Sequence, residues 1–290
     1  MYICNQCPRK CSVDRSEAVG ICGVGQNYKV ARAALHYWEE PCISGKKGSG
    51  TVFFSGCPLK CVYCQNSSIS DGCFGKEISE KRLIEIFKEL EEQGANNINL
   101  VSPTHYAEQL SVTLSKYKPS IPVVYNTGGY DSVDTLKKLE GLVDVFLTDI
   151  KYVSPSVSKK YSRAENYFEV ASKAVLEMRR QQPEDIFEKG ILKKGLIIRH
   201  LVLPGNISQG IKVLEWINGN LSSNTIISLM GQYMPCARAS EYPTINRKIN
   251  HREYETVLSK AEMLGFENVY IQELDSSSEE FIPDFDLQGV

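Results

Sequence analysis

Phe53-Phe54-Ser55-Gly56-Cys57-Pro58-Leu59-Lys60-Cys61-Val62-Tyr63-Cys64-Gln65-Asn66 sets three thiols in the spacing C-x3-C-x2-C, directly after a short apolar run. The number of thiols is the informative part. A cubane iron–sulfur cluster ordinarily takes four cysteine thiolates. A loop that supplies three leaves one iron able to bind a further ligand, as a catalytic zinc keeps one coordination position open. The competing reading is a zinc knuckle or three unrelated buried thiols. It fits less well with the apolar run before the loop and the βα pattern after it. Gly56 would let the backbone turn sharply as it leaves the strand, and Pro58 would stiffen the turn, so that the thiolates approach from one side.

Working outward, short β-branched runs alternate with helical patterns. Strands are expected at residues 51–55, 97–101, 123–126, 143–150, 196–203 and 225–230, with a short extra strand at 268–271. Helices are expected at 79–93, 106–116, 132–139, 166–181, 208–218 and 252–264. In the first of these, Leu83, Phe87 and Leu90 share a face, with Ser79 and Gly94 as caps. Six βα units in series argue for an α/β fold with parallel strands and right-handed crossovers. The pattern alone does not separate an open doubly wound sheet from a barrel. In both, function gathers at the C-terminal ends of the strands. Residues 231–251 form a long polar connection, and connections of that length are commonly lids or binding segments.

The chain has 290 residues, enough for one large core or one barrel. Its net charge of −2 offers no basic field for nucleic acid and no polybasic run for a membrane. Met1-Tyr2-Ile3 leads straight into a cysteine motif, so no signal peptide is expected. No apolar stretch approaches the ~20 residues that span a bilayer. Ten cysteines is a high count, and seven of them fall in two tight groups, which reads as metal ligation in a reducing compartment. A cytoplasmic, oxygen-sensitive protein is therefore expected.

The second cysteine group is Cys4, Cys7, Cys11 and Cys22, spaced C-x2-C-x3-C-x10-C. Four thiolates make a closed site, either structural zinc or a second iron–sulfur cluster. Such a site folds a segment of about 25 residues by itself, because metal-binding energy becomes folding energy. Zinc is the reading favoured at this point, and an electron-relaying cluster is its alternative. Cys42, Cys73 and Cys236 stand alone; Cys73, just after the loop, and Cys236, in the long connection, are candidates to touch substrate, with an inert role the favoured reading for each.

These features carry a resemblance. The loop C-x3-C-x-aromatic-C, with Tyr63 in the aromatic place, resembles the signature of the radical S-adenosylmethionine (radical SAM) superfamily. The start Cys4-Asn5-Gln6-Cys7-Pro8-Arg9-Lys10-Cys11 and the stretch Trp38-Glu39-Glu40-Pro41-Cys42-Ile43-Ser44-Gly45 extend the likeness, as do Gln65-Asn66, residues 99–106 and Ile282-Pro283-Asp284-Phe285. Together they resemble the pyruvate formate-lyase activating enzyme-like family. The resemblance implies a partial (βα)6 barrel over residues 46–272. It would follow a cysteine-rich metal-binding segment at 1–45 and precede a tail at 273–290 that packs on the core. It also implies a [4Fe-4S] cluster on Cys57, Cys61 and Cys64, whose open iron chelates S-adenosylmethionine. One electron then releases methionine and a 5′-deoxyadenosyl radical that takes hydrogen from a substrate. The cofactors do the bond breaking, and the protein positions them. A one-electron donor such as flavodoxin or ferredoxin is the implied partner.

Cofactor contacts are expected from the strand ends. After the second strand, Ser102-Pro103-Thr104-His105 lacks the Gly-Gly-Glu-like motif of many family members. Thr104 is the expected substitute, and His105 is either a substrate contact or a helix-start residue. Asn126, ahead of Gly128 and Gly129, offers both a donor and an acceptor. Alternation points Asp149 and Lys151 to the same side, where they form either a salt bridge at the mouth or a cofactor contact. Arg199 is a planar cation suited to a carboxylate and is expected to face inward, with His200 packed under a helix. Asn206 is a further cofactor candidate. Gln232 and Tyr233 are expected over the substrate or as caps of the barrel. A glycyl residue of a partner protein or another peptide is the favoured substrate, and a small molecule the alternative. A non-catalytic electron-transfer protein is the alternative of another class.

Overall fold

The computed structural model describes residues 3–272, 274 and 283–290. Among the described residues ten strands form one sheet, nine of them on a single path: β1 (Tyr28–His36), β2 (Ser49–Phe54), β3 (Lys76–Ile78), β4 (Ile98–Val101), β5 (Val123–Thr127), β6 (Val145–Asp149), β7 (Ile186–Glu188), β8 (Ile191–Leu201), β9 (Ile226–Met230) and β10 (Val269–Ile271), with β7 off the path. The order is β10-β9-β8-β6-β5-β4-β2-β1-β3, with β7 paired to β8. The run from β2 to β10 is parallel throughout. Its six principal strands, β2, β4, β5, β6, β8 and β9, are those expected from the βα alternation.

The sheet curls. Asn99 on β4 and Arg199 on β8 would lie about 14 Å apart on a flat sheet, three strand spacings. Yet both reach the same Glu39 carboxylate. No pairing among the described residues joins β10 to β3, so the barrel is partial. Its floor is plugged by α1 (Pro41–Ser44), whose Cys42 and Ile43 pack against Val124, Val145, Leu147, Ile197 and Ile226.

The outer helices are α2 (Ser67–Ser70), α3 (Glu80–Glu92), α4 (Ala107–Lys116), α5 (Val133–Lys137), α6 (Pro155–Ser162), α7 (Tyr167–Gln181), α8 (Ile207–Asn220) and α9 (His251–Met263). In α3, Ser79 accepts the Arg82 N–H at 3.2 Å, and Leu83, Ile86, Phe87 and Leu90 are buried at helical spacing. α9 begins with a capping box between Asn250 and Glu253.

The strands β1, β3 and β7 and the helices α1, α2 and α6 lie outside the sequence pattern. β1 lies within residues 1–45, so the segment ahead of the cluster loop contributes a strand, antiparallel to β2 with Ala34 opposite Thr51. Its run Tyr-Lys-Val-Ala-Arg-Ala-Ala-Leu-His is rich in alanine, which masks β-propensity. The β7–β8 hairpin lengthens the fifth expected strand backward to Ile191. α6 is an extra helix between β6 and α7. At the other end, residues 283–290 lie along β1: Leu287 N–H donates to Ala31 O at 3.0 Å, and the Phe285 ring meets Phe53 at 5.4 Å. Residues 273 and 275–282 of the expected tail, Ile282 included, lie outside the described residues.

Candidate active site at the strand ends

The cluster loop rises from the end of β2. Gly56 has φ +86°, and a Cβ there would meet Cys22 O at 2.8 Å, so only glycine fits this turn. Each thiol of the trio has a hydrogen-bond partner. Leu59 N–H donates to Cys57 Sγ at 3.4 Å, Ser70 Oγ donates to Cys64 Sγ at 3.3 Å, and Ser162 Oγ and Cys61 Sγ share a hydrogen bond at 3.0 Å. Burial pushes the Cys57 and Cys64 thiols up to about 11, while the Lys151 ammonium pulls both the other way. Three soft sulfurs with donors around them and a cation above them form a set suited to iron. The residues present therefore fit a site-differentiated cluster.

Beside the loop is a cavity of ≈ 250 Å³, bounded by Cys61, Tyr63, Cys64, Asp149, Lys151 and Arg199 on one side and by Met230, Gln232 and Tyr233 on the other. A larger cleft of ≈ 710 Å³ lies at the opposite end of the strands, by Asp185, Asn224 and Asn268, and holds no thiol.

Below the cavity runs a buried ladder of alternating charge. Lys151 Nζ donates to Asp149 Oδ2 at 2.5 Å, and Arg199 Nε donates to Asp149 Oδ1 at 2.9 Å. Arg199 Nη2 donates to Asn126 Oδ1 at 2.6 Å, and Nη1 reaches Glu39 Oε2 at 3.4 Å. Glu39 Oε1 accepts from Asn99 and Asn126, both at 3.1 Å. Burial alone would raise the Asp149 carboxyl, but Lys151 and Arg199 outweigh it and hold it below the usual range. Burial also lowers Lys151 by itself, and Asp149 restores the ammonium and more. The ladder is thus held fully ionised at its upper end.

Asp149, Arg199 and Asn126 come together as the alternation of their strands requires, and Lys151, just past the end of β6, joins them through Asp149. His200 faces outward, with Nδ1 2.7 Å from Ile150 O, beneath α8. Gln232 and Tyr233 line the cavity, and Tyr233 donates to Ile245 O at 2.7 Å. Tyr63 packs edge-on against Tyr233, with its hydroxyl 2.5 Å from that of Tyr152.

Three candidates are placed elsewhere. Thr104 bonds Thr127 Oγ1 at 3.0 Å in a buried knot with Asp131 and Tyr125, away from the cavity lining. His105 is 1% exposed, with Nε2 2.8 Å from Ser55 O, and burial lowers its imidazole to about 3. Asn206 caps its own loop by donating to Pro204 O at 2.9 Å. A residue just past a strand end can turn either into the mouth or under the next helix, and alternation does not reach that far. Gly129 (φ +80°) lies against the backbone of Asp149, where a Cβ would sit 2.2 Å from its carbonyl oxygen, so its closeness is to protein.

Sequence reasoning missed Glu39 and Glu40. The signal was the pair of acidic residues before Pro41, inside the stretch 38–45 that carries the family resemblance but has no strand pattern. Glu40 Oε2 is buried without a hydrogen-bond partner among the described residues. Burial raises its carboxyl, opposed by Arg199 and reinforced by Glu39. The folded chain thus binds this proton more readily than the unfolded chain. Its penalty is absent below the ordinary glutamate value of 4.5 and grows as pH rises through the raised folded value. Glu40→Gln is therefore expected to stabilise the fold by about 1–3 kcal/mol at pH 8 and to have little effect at pH 4.5. Denaturant unfolding at the two pH values checks this. A gain that does not depend on pH would show that the charge is not the cause.

The geometry agrees with comparison to known proteins. The Radical SAM superfamily model matches residues 51–206. The chain belongs to the radical SAM superfamily, a family defined by a [4Fe-4S] cluster and S-adenosylmethionine. It is 32% identical over 277 residues to the uncharacterized protein MJ0674 of Methanocaldococcus jannaschii, covering 92% of this chain and 76% of that one. Among solved structures it is similar to Streptococcus suis SuiB bound to precursor peptide SuiA (TM-score 0.53, 14% identity, 78% of this chain and 49% of that one). It is also similar to SuiB bound to S-adenosylmethionine (TM-score 0.52, 12% identity, 77% and 50%). At that identity the likeness shows the fold alone, and the chain spans about half the length of these structures. No helix among the described residues is long and apolar enough to cross a membrane.

Proposed function

We propose that this protein is a radical SAM enzyme that takes hydrogen from a peptide or protein backbone, with a glycyl Cα of a partner protein as the narrowest form of that activity. When bound, the cluster and S-adenosylmethionine supply reductive cleavage of the sulfonium to methionine and a 5′-deoxyadenosyl radical. Cys57, Cys61 and Cys64 would hold the cluster. Lys151 sits over the thiols and offsets their charge. Asp149, Arg199 and Asn126 would orient the polar end of the cofactor, and Glu39 holds Arg199 and Asn126 from below. Tyr63 and Tyr233 wall the cavity against water.

The observation that carries the peptide reading is the size of that cavity. At ≈ 250 Å³ and open to solvent on one side, it is small for a ligand pocket, which favours a target presented from outside over a second small molecule enclosed beside the cofactor. Residues 231–251 are packed down as its wall, with Arg238 N–H donating to Val62 O at 2.8 Å and the Cys236 thiol to Tyr63 O at 3.3 Å. The target is then presented from outside, as a backbone segment can be. The second cysteine group would hold a metal centre, and a flavodoxin- or ferredoxin-type donor would reduce the protein in a reducing cytoplasm.

The test is anaerobic reconstitution, reduction, and incubation with S-adenosylmethionine and peptides deuterated at glycine Cα. Deuterium in the 5′-deoxyadenosine is the expected result. Deuterium arriving only from a small-molecule pool would overturn the peptide reading, and absence of deoxyadenosine would overturn the enzyme.

A further inference from the structure

We propose that Ser162, the last residue of α6, tunes the reduction potential of the loop cluster by donating to the Cys61 sulfur, and that a one-way chain of hydroxyls, Tyr63 to Tyr152 to Ser162, holds its proton there. The inference rests on the radical SAM reading above and adds to it the residues that set how readily the centre is reduced.

The chain is continuous and buried. Tyr63 Oη lies 2.5 Å from Tyr152 Oη, Tyr152 Oη lies 2.9 Å from Ser162 Oγ, and Ser162 Oγ lies 3.0 Å from Cys61 Sγ. Ser162 and Tyr152 are 0% exposed and Tyr63 is 6% exposed. Among the described residues, the Ser162 and Tyr152 hydroxyls have no partners besides these. The other two loop thiols are served from close by, Cys57 by Leu59 N–H and Cys64 by Ser70. Of the trio, Cys61 alone takes its partner from across the fold, 101 positions away.

Ligation fixes the direction of every bond in the chain. A free thiol can give or take a proton, but a cysteine bound to iron is a thiolate and only accepts. Each hydroxyl carries one proton. Ser162 therefore gives its proton to Cys61 and accepts from Tyr152. Tyr152 has then used its own proton and accepts from Tyr63. Chains of this kind polarise from bond to bond, most strongly where water is excluded. Reduction brings one electron from the flavodoxin- or ferredoxin-type carrier into the cluster, and no proton leaves the chain. A donor on the thiolate stabilises the more negative, reduced state more, so Ser162 raises the potential.

The end of α6 is fastened onto the loop. Val62 N–H donates to Tyr161 O at 2.9 Å. Arg9, between Cys7 and Cys11, spans both elements: Nε donates to Pro58 O at 2.8 Å, Nη2 to Ser162 O at 3.1 Å and Nη1 to Arg163 O at 2.6 Å. The N-terminal segment that carries Arg9 is itself tied to the loop, with Cys57 N–H donating to Cys22 O at 3.2 Å. Arg163 has φ +53°, which ends the helix just past Ser162 and leaves the last hydroxyl of α6 at the sulfur. Arg9 is thus a positioning residue for Ser162.

The experiment is a potentiometric titration read by electron paramagnetic resonance, on the anaerobically reconstituted full chain. The signal that Cys61→Ala removes is that of the loop centre. In Ser162→Ala its reduction equilibrium should shift about tenfold towards the oxidised form, which is ~59 mV for one electron. Tyr152→Phe leaves Ser162 in place and should shift it about two- to threefold in the same direction. Added to Ser162→Ala, Tyr152→Phe should move it no further, because its route runs through Ser162. A Ser162→Ala potential within about twofold of wild type would overturn the tuning role, since a serine that only packs α6 leaves the potential where it was. A Tyr152→Phe shift that adds in full to that of Ser162→Ala would overturn the relay. If Ser162→Ala misfolds by circular dichroism, Tyr152→Phe decides, and an unshifted potential overturns the proposal. Failure of wild-type protein to cleave S-adenosylmethionine under dithionite would count instead against the enzyme reading, and the titration would still decide the role of Ser162.

Discussion

Replacing Cys61 with alanine is expected to bring 5′-deoxyadenosine formation down by at least about 10³-fold, to background, with the fold retained. Cys61 is the middle ligand of the loop and lines the cavity, and its sulfur is held by Ser162 at 3.0 Å. Two remaining thiols cannot hold a cubane that presents one open iron. The residue is half-buried, so alanine leaves a small void at the surface and costs little stability. Anaerobic iron analysis should show loss of the loop's share of iron. The comparison variant is Cys42→Ala, on the barrel floor away from the loop, which should keep both iron and cleavage. Cleavage persisting in Cys61→Ala would mean that the loop is not the cofactor site.

The second large effect is on stability. Arg199→Leu should destabilise the chain by about 3–5 kcal/mol, because it strands buried Glu39 without a cation and leaves Asp149 with Lys151 alone. That corresponds to a thermal midpoint lower by roughly 10 °C. Arg199→Lys should not rescue it, since a single ammonium cannot reach Asp149, Asn126 and Glu39 together as the planar guanidinium does. Adding Glu39→Gln to Arg199→Leu should recover part of the loss by removing one uncompensated charge. Calorimetry on the four chains checks this. A loss below about 1 kcal/mol in Arg199→Leu would place these groups in water rather than in the barrel.

Much of this site could be read from local pattern. The three thiols and Gly56 lie within one loop, so their chemistry depends on spacing alone. Asp149 and Arg199 fall at inward positions of regular strands, where a period of two is a reliable guide, and Lys151, two residues past the end of β6, keeps the same side through its ion pair with Asp149. Thr104, His105 and Asn206 lie just past strand ends, where the chain leaves the pleat and the period no longer applies. Each turned to a partner within the protein instead of the cavity. β1 went unread because alanine-rich alternation is weak, and its partner β2 is supplied only after the turn through α1.

The sequence by itself determined the parallel βα architecture and the trio of thiols, since both rest on neighbours a few residues apart. Tertiary structure alone decided what lies beneath them. Glu39 meets Arg199 across 160 positions of chain, and Cys22 meets Cys57 from a segment with no regular pattern. Such meetings depend on how far the sheet curls and on where the N-terminal segment crosses it. Those are properties of all the strands packed together, and no single stretch of residues encodes them.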